Sequence, residues 1–568
     1  MTGPESTTKA GKNDGFWDLI AAVSGSSMRR RPPFSRSWIM NCSREGRPAD
    51  SRENLYVRTE LHQEDTGTDR LYNVSPHEYE LDDGALECIT DIMRGLEKDP
   101  PPSSIMDDET SLRRYVERRT RRELSTRKKD LGGEEPTVLS RICGQYSVGF
   151  GVLEHLLRDE RVQDIYIDPP FRDNPVRVVL GGMADPEMEG SYPTNIRLTN
   201  DEVERMVSIL RFVSGKPFSV SDPVLECDMP HFNARITAVS PPMSQNGVSI
   251  AIRKHSHDPW TLLRSVRAGA LSTESAAFLD ICLDGRSSML IAGPRGAGKS
   301  SLLGALLFNI DPARRIILIE DTPELPASAL SSQGFSIVPL KVDDDARRDT
   351  NRALRTALRL GESVLVLGEV RGPETRTLYE AMSAGTAGSA VLGTFHADSA
   401  VSVYKRAVED IGVSPGSFSA TDLVVVCGLV QPKGRRVRYR RIVQISEYIK
   451  KGEGGRFRDL FRYDSGKERL VRTDGFETSD TVKRISSLWG MNPYELMDDL
   501  SFRKCVFDHA LDMLSDEDLT RPSTMIRVMT ELRNTREREV RSSGRIVPDR
   551  AIRRWKRAFD DEEEEWTL

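Results

Sequence analysis

The sequence predicts an α/β protein built on a doubly wound, mostly parallel sheet, preceded by a smaller α/β domain and followed by a helical C-terminal region. Three observations predict it. A complete G-x-x-x-x-G-K-[ST] loop, Gly293 to Ser300, joins the apolar run Met289-Leu290-Ile291-Ala292 to a helical stretch through Leu307. Beyond it, short runs that are nearly all apolar alternate with helical stretches, as buried parallel strands do. Before it, a stretch of ordinary domain size mixes strand alternation with helix periodicity.

The loop is the first candidate site. Its glycines let successive backbone N–H groups turn inward on phosphates, Lys299 places an ammonium at the β- and γ-phosphates, and Ser300 offers a hydroxyl to Mg²⁺. The helix N-terminus adds its positive dipole. Gly293, Pro294, Arg295, Gly296, Ala297, Gly298, Lys299, Ser300 and Ser301 are the expected contacts of a nucleoside triphosphate.

Composition bounds the rest. A chain of 568 residues exceeds one ordinary domain. A net charge of −6 gives no global reason to expect nucleic-acid binding. The seven cysteines are scattered and odd in number, with no C-x-x-C pair, which argues against disulfides and structural zinc and for a reduced, cytoplasmic compartment. No run approaches the roughly eighteen apolar residues of a spanning helix, so any membrane contact is expected to be peripheral or through a partner.

Five regions are expected along the chain. Residues 1–54, rich in Ser, Gly, Pro, Arg and Lys, read as a disordered arm in which Trp17, Leu19 and Ile20 are an incidental apolar cluster. Residues 55–135 read as an accessory region with a strand at Leu55-Tyr56-Val57, a helix from Leu86 to Leu96 and a basic helix from Ser111 to Lys129. The arginines of that last helix, Arg113, Arg114, Arg118, Arg119, Arg121 and Arg122 among them, fit plain solvation or binding to acidic lipid, nucleic acid or a partner. After Gly132-Gly133, residues 136–258 read as the smaller α/β domain and 259–450 as the main core. Residues 451–568 read as a helical C-terminal region. Its last helix gathers Ile552, Trp555 and Phe559 on one face among Arg550, Arg553, Arg554, Lys556 and Arg557, before the acidic run Asp560 to Glu565. That face suits solvation, or a membrane or partner surface.

Parallel α/β nucleotide-binding proteins gather their chemistry at the C-terminal ends of strands. Three such ends here carry suitable groups: Glu320-Asp321-Thr322-Pro323-Glu324, Gly368-Glu369-Val370-Arg371 and Thr394-Phe395-His396. One carboxylate is needed near Mg²⁺ and another to orient or deprotonate the attacking water. Gly368 stands where the aspartate of a Walker B strand is expected, which leaves Glu369 to organise the water shell of the metal beside Ser300. A lone histidine is often structural, but the strand-end position gives His396 a phosphate-sensing role.

These motifs, in this order and approximate spacing, resemble those of the type II/type IV secretion superfamily ATPases, and within them the archaeal branch that includes the motors of archaella and archaeal type IV pili. The N-terminal α/β stretch resembles the family's through Gly149 to Leu157 and Ala251-Ile252-Arg253-Lys254. The resemblance implies a RecA-like P-loop NTPase core that binds ATP and Mg²⁺. It also implies a ring-shaped hexamer with ATP between the N-terminal domain and the core, and arginines reaching in from the N-terminal side, where Arg235 and Arg253 fall on the matching strands. Glu324 is the implied general base, with Glu320 the less favoured alternative. One departure is that Ala387-Gly388-Ser389 lacks the first histidine of the family's His box.

The function implied is that of an ATPase at the cytoplasmic face of a membrane. It would drive assembly of a pilus- or archaellum-like filament, or protein secretion, through a polytopic membrane platform protein, with no nucleic-acid partner. Two other readings stay open: a RecA-like ATPase that translocates DNA, and a nucleotide-gated regulatory protein of low turnover, which Ser389 keeps in view.

Overall fold

Residues that alternate in the first half of the chain and run apolar in the second build two different kinds of sheet. The computed structural model describes residues 27–566 apart from 42–47, 64–69, 103–104, 106–108, 128–130, 132–133, 184, 255–258, 343–348, 371, 384–389, 435–436 and 452–453. The chain divides into two compact units, Met1–His257 and Asp258–Leu568.

The first unit carries β1 (Ser27–Met28), β2 (Ser37–Asn41), β3 (Asp50–Glu53), β4 (Val57–Gln63), β5 (Arg70–Pro76), β6 (Val162–Ile167), β7 (Arg177–Leu180), β8 (Gly190–Pro193), β9 (Ile196–Leu198), β10 (Val224–Met229), β11 (Ala234–Val239) and β12 (Ser249–Lys254). Six of them form an antiparallel sheet in the order β10-β11-β12-β6-β7-β8, beside the smaller sheets β1-β2-β9 and β3-β4-β5. Alternation sets the faces: in β11, Ala234, Ile236 and Ala238 are buried while Arg235, Thr237 and Val239 are half-buried. The helix Asn200–Ser214 starts where the Thr199 hydroxyl accepts from Glu202 N at 3.2 Å, and stops at Gly215, whose φ of 62° suits a left-handed C-cap. It buries Val203, Met206 and Leu210.

Two sequence expectations for this unit are corrected. Residues 27–28, 37–41 and 50–53 are strands, although all fall within the stretch read as a disordered arm; Trp17, Leu19 and Ile20 lie outside the described residues. The short run Trp38-Ile39-Met40 is diluted by its polar flanks, yet Ile39 and Met40 are buried once β2 pairs with β9. The accessory and α/β stretches, expected as separate domains, share one unit, and the Asn195 amide ties them by donating to Met40 O at 3.1 Å and Val74 O at 2.9 Å. The basic helix, Glu109–Thr126, is not basic all round: Arg113 is buried with Val116, Thr120 and Leu124, and its Nη1 donates to the buried Glu154 at 3.0 Å. Arg114, Arg118, Arg121 and Arg122 are exposed.

The second unit carries β13 (Met289–Ala292), β14 (Ile316–Glu320), β15 (Ile337–Lys341), β16 (Val364–Val370), β17 (Val391–Phe395), β18 (Leu423–Val430), β19 (Tyr439–Lys451), β20 (Gly454–Asp464) and β21 (Arg469–Arg472). Their order is β15-β14-β16-β17-β13-β18-β19-β20-β21. The first six are parallel and the last three antiparallel. Both faces are covered: Met289 and Ile291 of β13 point into one core, Leu290 and Ala292 into the other.

The C-terminal expectation is corrected in turn. Residues 454–464 and 469–472 are strands that extend the sheet; charged and apolar residues alternate at Arg456-Phe457-Arg458 and again at Phe461-Arg462-Tyr463, with a register shift between the two runs. The helices that follow, Asp480–Leu488, Pro493–Met513, Pro522–Ser543 and Pro548–Trp566, contribute to the same core as the sheet. The apolar face of the last helix is therefore spent on packing, with Trp555 and Phe559 fully buried. Between helices, the buried Arg503 guanidinium meets Asp280, Asp284 and Asp499.

Candidate functional site

The phosphate loop leaves the C-terminal end of β13 and enters the helix Lys299–Leu307. Its turn depends on glycine at two places. Gly298, the residue before the helix, has φ 90°, and a Cβ on Gly293 would lie 2.6 Å from Cys427 O of the neighbouring β18. Lys299 is buried and folds back on the loop, donating from Nζ to Gly293 O at 3.0 Å and Pro294 O at 3.1 Å. Burial lowers its pKa, against the opposing pull of Cys427, Glu369 and Glu324.

The strand ends converge on that ammonium. Lys299 Nζ donates to His396 Nδ1 at 3.5 Å, and His396 Nε2 lies 3.0 Å from Glu369 Oε1. An imidazole that accepts at Nδ1 carries its proton on Nε2 and gives it to the carboxylate. Burial first, then the Lys299 charge, hold His396 below its ordinary pKa, so the ring is neutral. Arg406 Nη1 donates to His396 O at 2.7 Å and fixes the backbone there.

The second strand end is bulged. Leu367 pairs with Gly393 and Val370 with Phe395, so one extra residue is inserted around Gly368-Glu369. Such a bulge redirects side chains beside a site, here that of Glu369. The Thr394 hydroxyl donates to Gly368 O and pins the bulge to β17. Gly368 has a steric reason: a Cβ there would lie 2.9 Å from Glu320 Cγ.

Glu320 is buried, and its Oε1 accepts from Glu324 N at 2.9 Å and Leu325 N at 3.0 Å. Burial pushes its pKa up to about 7, against the lowering by those two amides. Its carboxyl thus holds the turn that carries Glu324, whose own side chain is exposed and acts electrostatically on Lys299. Sequence reasoning ranked Glu320 only as a weaker base; its loop-holding place follows from the pairing of β14 with β16, which no local pattern discloses.

The predicted residues are therefore not all in one place. Lys299, His396 and Glu369 form a line in the second unit; Glu324 stands on the turn held by Glu320, and Ser300 is half-buried in the first turn of the loop helix. Arg235 and Arg253 belong to the first unit, where the register sets them opposite each other on β11 and β12. There Arg235 pairs with Glu226 at 2.8 Å and Arg253 with Asp164 at 3.2 Å. Arg371, Ala387, Gly388 and Ser389 lie outside the described residues.

The residues present fit a nucleoside triphosphate with Mg²⁺. Two loop carbonyls, Gly293 O and Pro294 O, are bonded by the Lys299 ammonium, and the first amides of a helix have no partner within it, which suits a phosphate. Ser300 and Glu369 are oxygen donors of the kind Mg²⁺ takes alongside phosphate oxygens.

A phosphate loop at the C-terminal end of a doubly covered parallel sheet, with carboxylates and a histidine on the next strand ends, defines a P-loop protein. Residues 224–454 match the family described as Type II/IV secretion system protein. The chain is 29% identical over 374 residues to the uncharacterized protein MJ0900 of Methanocaldococcus jannaschii, a match spanning 64% of each chain. It is 28% identical over 292 residues to MT3759 of Mycobacterium tuberculosis, a protein named for conjugal transfer; that match spans 50% of this chain and 79% of the other. Among solved structures, the ATPase DotB of Yersinia pseudotuberculosis is matched at 17% identity and a TM-score of 0.38, over 66% of this chain and 92% of that one.

Proposed function

We propose that this chain is an ATP-hydrolysing motor of a secretion-type system. The observation that carries the reading is the line Lys299–His396–Glu369 set against the turn bearing Glu324. Lys299 exchanges its loop carbonyls for phosphate oxygens, and neutral His396 then reports that exchange to Glu369 through its two ring nitrogens. Glu324, exposed on its turn, takes the proton of the attacking water. Ser300 directly, and Glu369 through water, would hold Mg²⁺, which would supply charge neutralisation at the phosphates.

The work is assembly of a pilus- or archaellum-like filament, or protein secretion, through a polytopic membrane platform; the relative in Methanocaldococcus jannaschii supports placing the chain in the archaeal branch. Among the described residues no helix is long and apolar enough to cross a membrane; the place proposed for the chain is peripheral, at the cytoplasmic face. The assembly is a homo-oligomeric ring, with Arg235 and Arg253 completing a neighbour's nucleotide site. The relative named for conjugal transfer favours one other reading, a motor acting on DNA. Steady-state hydrolysis tests these together. Specific activity is expected to rise with protein concentration, to fall in Arg253→Ala without loss of fold, and to be indifferent to DNA. Turnover by a demonstrated monomer rejects the shared site, and stimulation by DNA favours the other motor.

A further inference from the structure

A phosphate loop works only if its carbonyls point away from the phosphates, and a side-chain donor bonded to an outward carbonyl fixes it in that orientation. Lys299 serves Gly293 and Pro294. The carbonyl of Gly296, at the outer edge of the loop, is served from 144 residues away: Arg440 Nε donates to Gly296 O at 3.1 Å. Arg440 stands at the start of β19, opposite Leu429 of β18, and β18 is the direct neighbour of β13. Its stem crosses the loop, with Cδ 3.7 Å from where a Cβ on Gly298 would be.

We propose that Arg440 is a positioning residue for the phosphate loop, holding the Gly296 carbonyl outward so that the neighbouring amides stay turned toward the phosphates. The proposal rests on Gly293 to Ser301 being a nucleotide site, and it adds a group from outside the motif. When Lys299 turns to phosphate it releases Gly293 and Pro294, whereas the bond from Arg440 to Gly296 competes with no ligand. The turn closed by Ala297 N donating to Pro294 O at 3.3 Å is thus braced from β19 while the ammonium moves. A group that orders the loop equally before and during reaction affects binding more than turnover.

Three variants of the full chain test this: Arg440→Met keeps the stem without a donor, Arg440→Lys keeps a donor, and Lys299→Ala controls the loop. Binding of Mg-ATP and of inorganic triphosphate is measured together with steady-state hydrolysis. Because the bond is exposed, Arg440→Met is expected to raise the Kd for both ligands, and KM, by only roughly 3- to 15-fold, with kcat within about twofold and an unchanged melting temperature. Arg440→Lys is expected to recover most of that loss. Parental affinity in Arg440→Met overturns the proposal, as does a fall in kcat at constant KM, which would make Arg440 a group acting on the reacting phosphate. If the parental protein shows no affinity that depends on Lys299, it is the nucleotide reading that fails; if it does and Arg440→Met is silent, only the role of Arg440 fails.

Discussion

Glu320 fills the space that a side chain at position 368 would need, since a Cβ on Gly368 would lie 2.9 Å from Glu320 Cγ. The missing Walker B aspartate is therefore a steric exchange between β14 and β16: the carboxylate comes from the neighbouring strand and faces the turn of Glu324. Gly368→Ala is expected to lower stability by about 1–3 kcal/mol through overpacking, read by urea unfolding, and to lower hydrolysis. Gly368→Asp, which restores the usual motif on paper, is expected to be worse. An Asp variant with parental activity would contradict the exchange.

The same carboxyl sets a pH dependence. Its pKa rises from an ordinary 4.5 to about 7, so between those values the folded state binds a proton that the unfolded state does not. Stability from this group is complete below about 4.5 and is lost as pH rises through about 7. Glu320→Gln keeps an oxygen for the amides of Glu324 and Leu325 without the buried charge. Relative to the parent it is expected to gain on the order of 2–3 kcal/mol on moving from pH 5 to pH 8, measured by denaturant unfolding at both values.

The C-terminal helices are tied to the core by a buried charge. Arg503 meets Asp284 at 2.8 Å and Asp499 at 3.2 Å besides Asp280, and Arg536 Nε donates to Asp499 at 2.8 Å. Arg503→Met leaves carboxylates without their cation and is expected to cost about 3–5 kcal/mol in denaturant unfolding. Little change there would show that the network is not holding the C-terminal helices to the helix Thr273–Asp284.

How legible these features were depended on whether the signal was local. The loop from Gly293 to Ser300, the all-apolar β13 and the apolar runs 316–319 of β14 and 364–367 of β16 are contiguous patterns, and the sheet they form runs parallel in the core. Strand ends carrying Glu369 and His396 were readable by position, although the bulge that redirects Glu369 was not, because it depends on the register of β16 against β17. Arg113 was read with its basic neighbours because Glu154, the group that buries it, lies 41 residues away. Residues 454–472 read as part of the helical tail because the alternation of Arg with Phe and Tyr in β20 is broken at Asp459-Leu460, where the register shifts. Arg235 and Arg253 are register partners on β11 and β12, a pairing that follows from the hairpin and not from either residue's local pattern.

The most direct test of the central claim, that the line Lys299–His396–Glu369 and the turn bearing Glu324 form a hydrolytic site, is the rate of Mg-ATP hydrolysis by Glu324→Gln beside its nucleotide affinity. Glutamine keeps the reach of glutamate but cannot take a proton at neutral pH. The account predicts hydrolysis reduced by about 10²- to 10⁴-fold with affinity intact, while Lys299→Ala loses affinity itself. Hydrolysis by Glu324→Gln at close to the parental rate, with Glu320→Gln inactive, would contradict it.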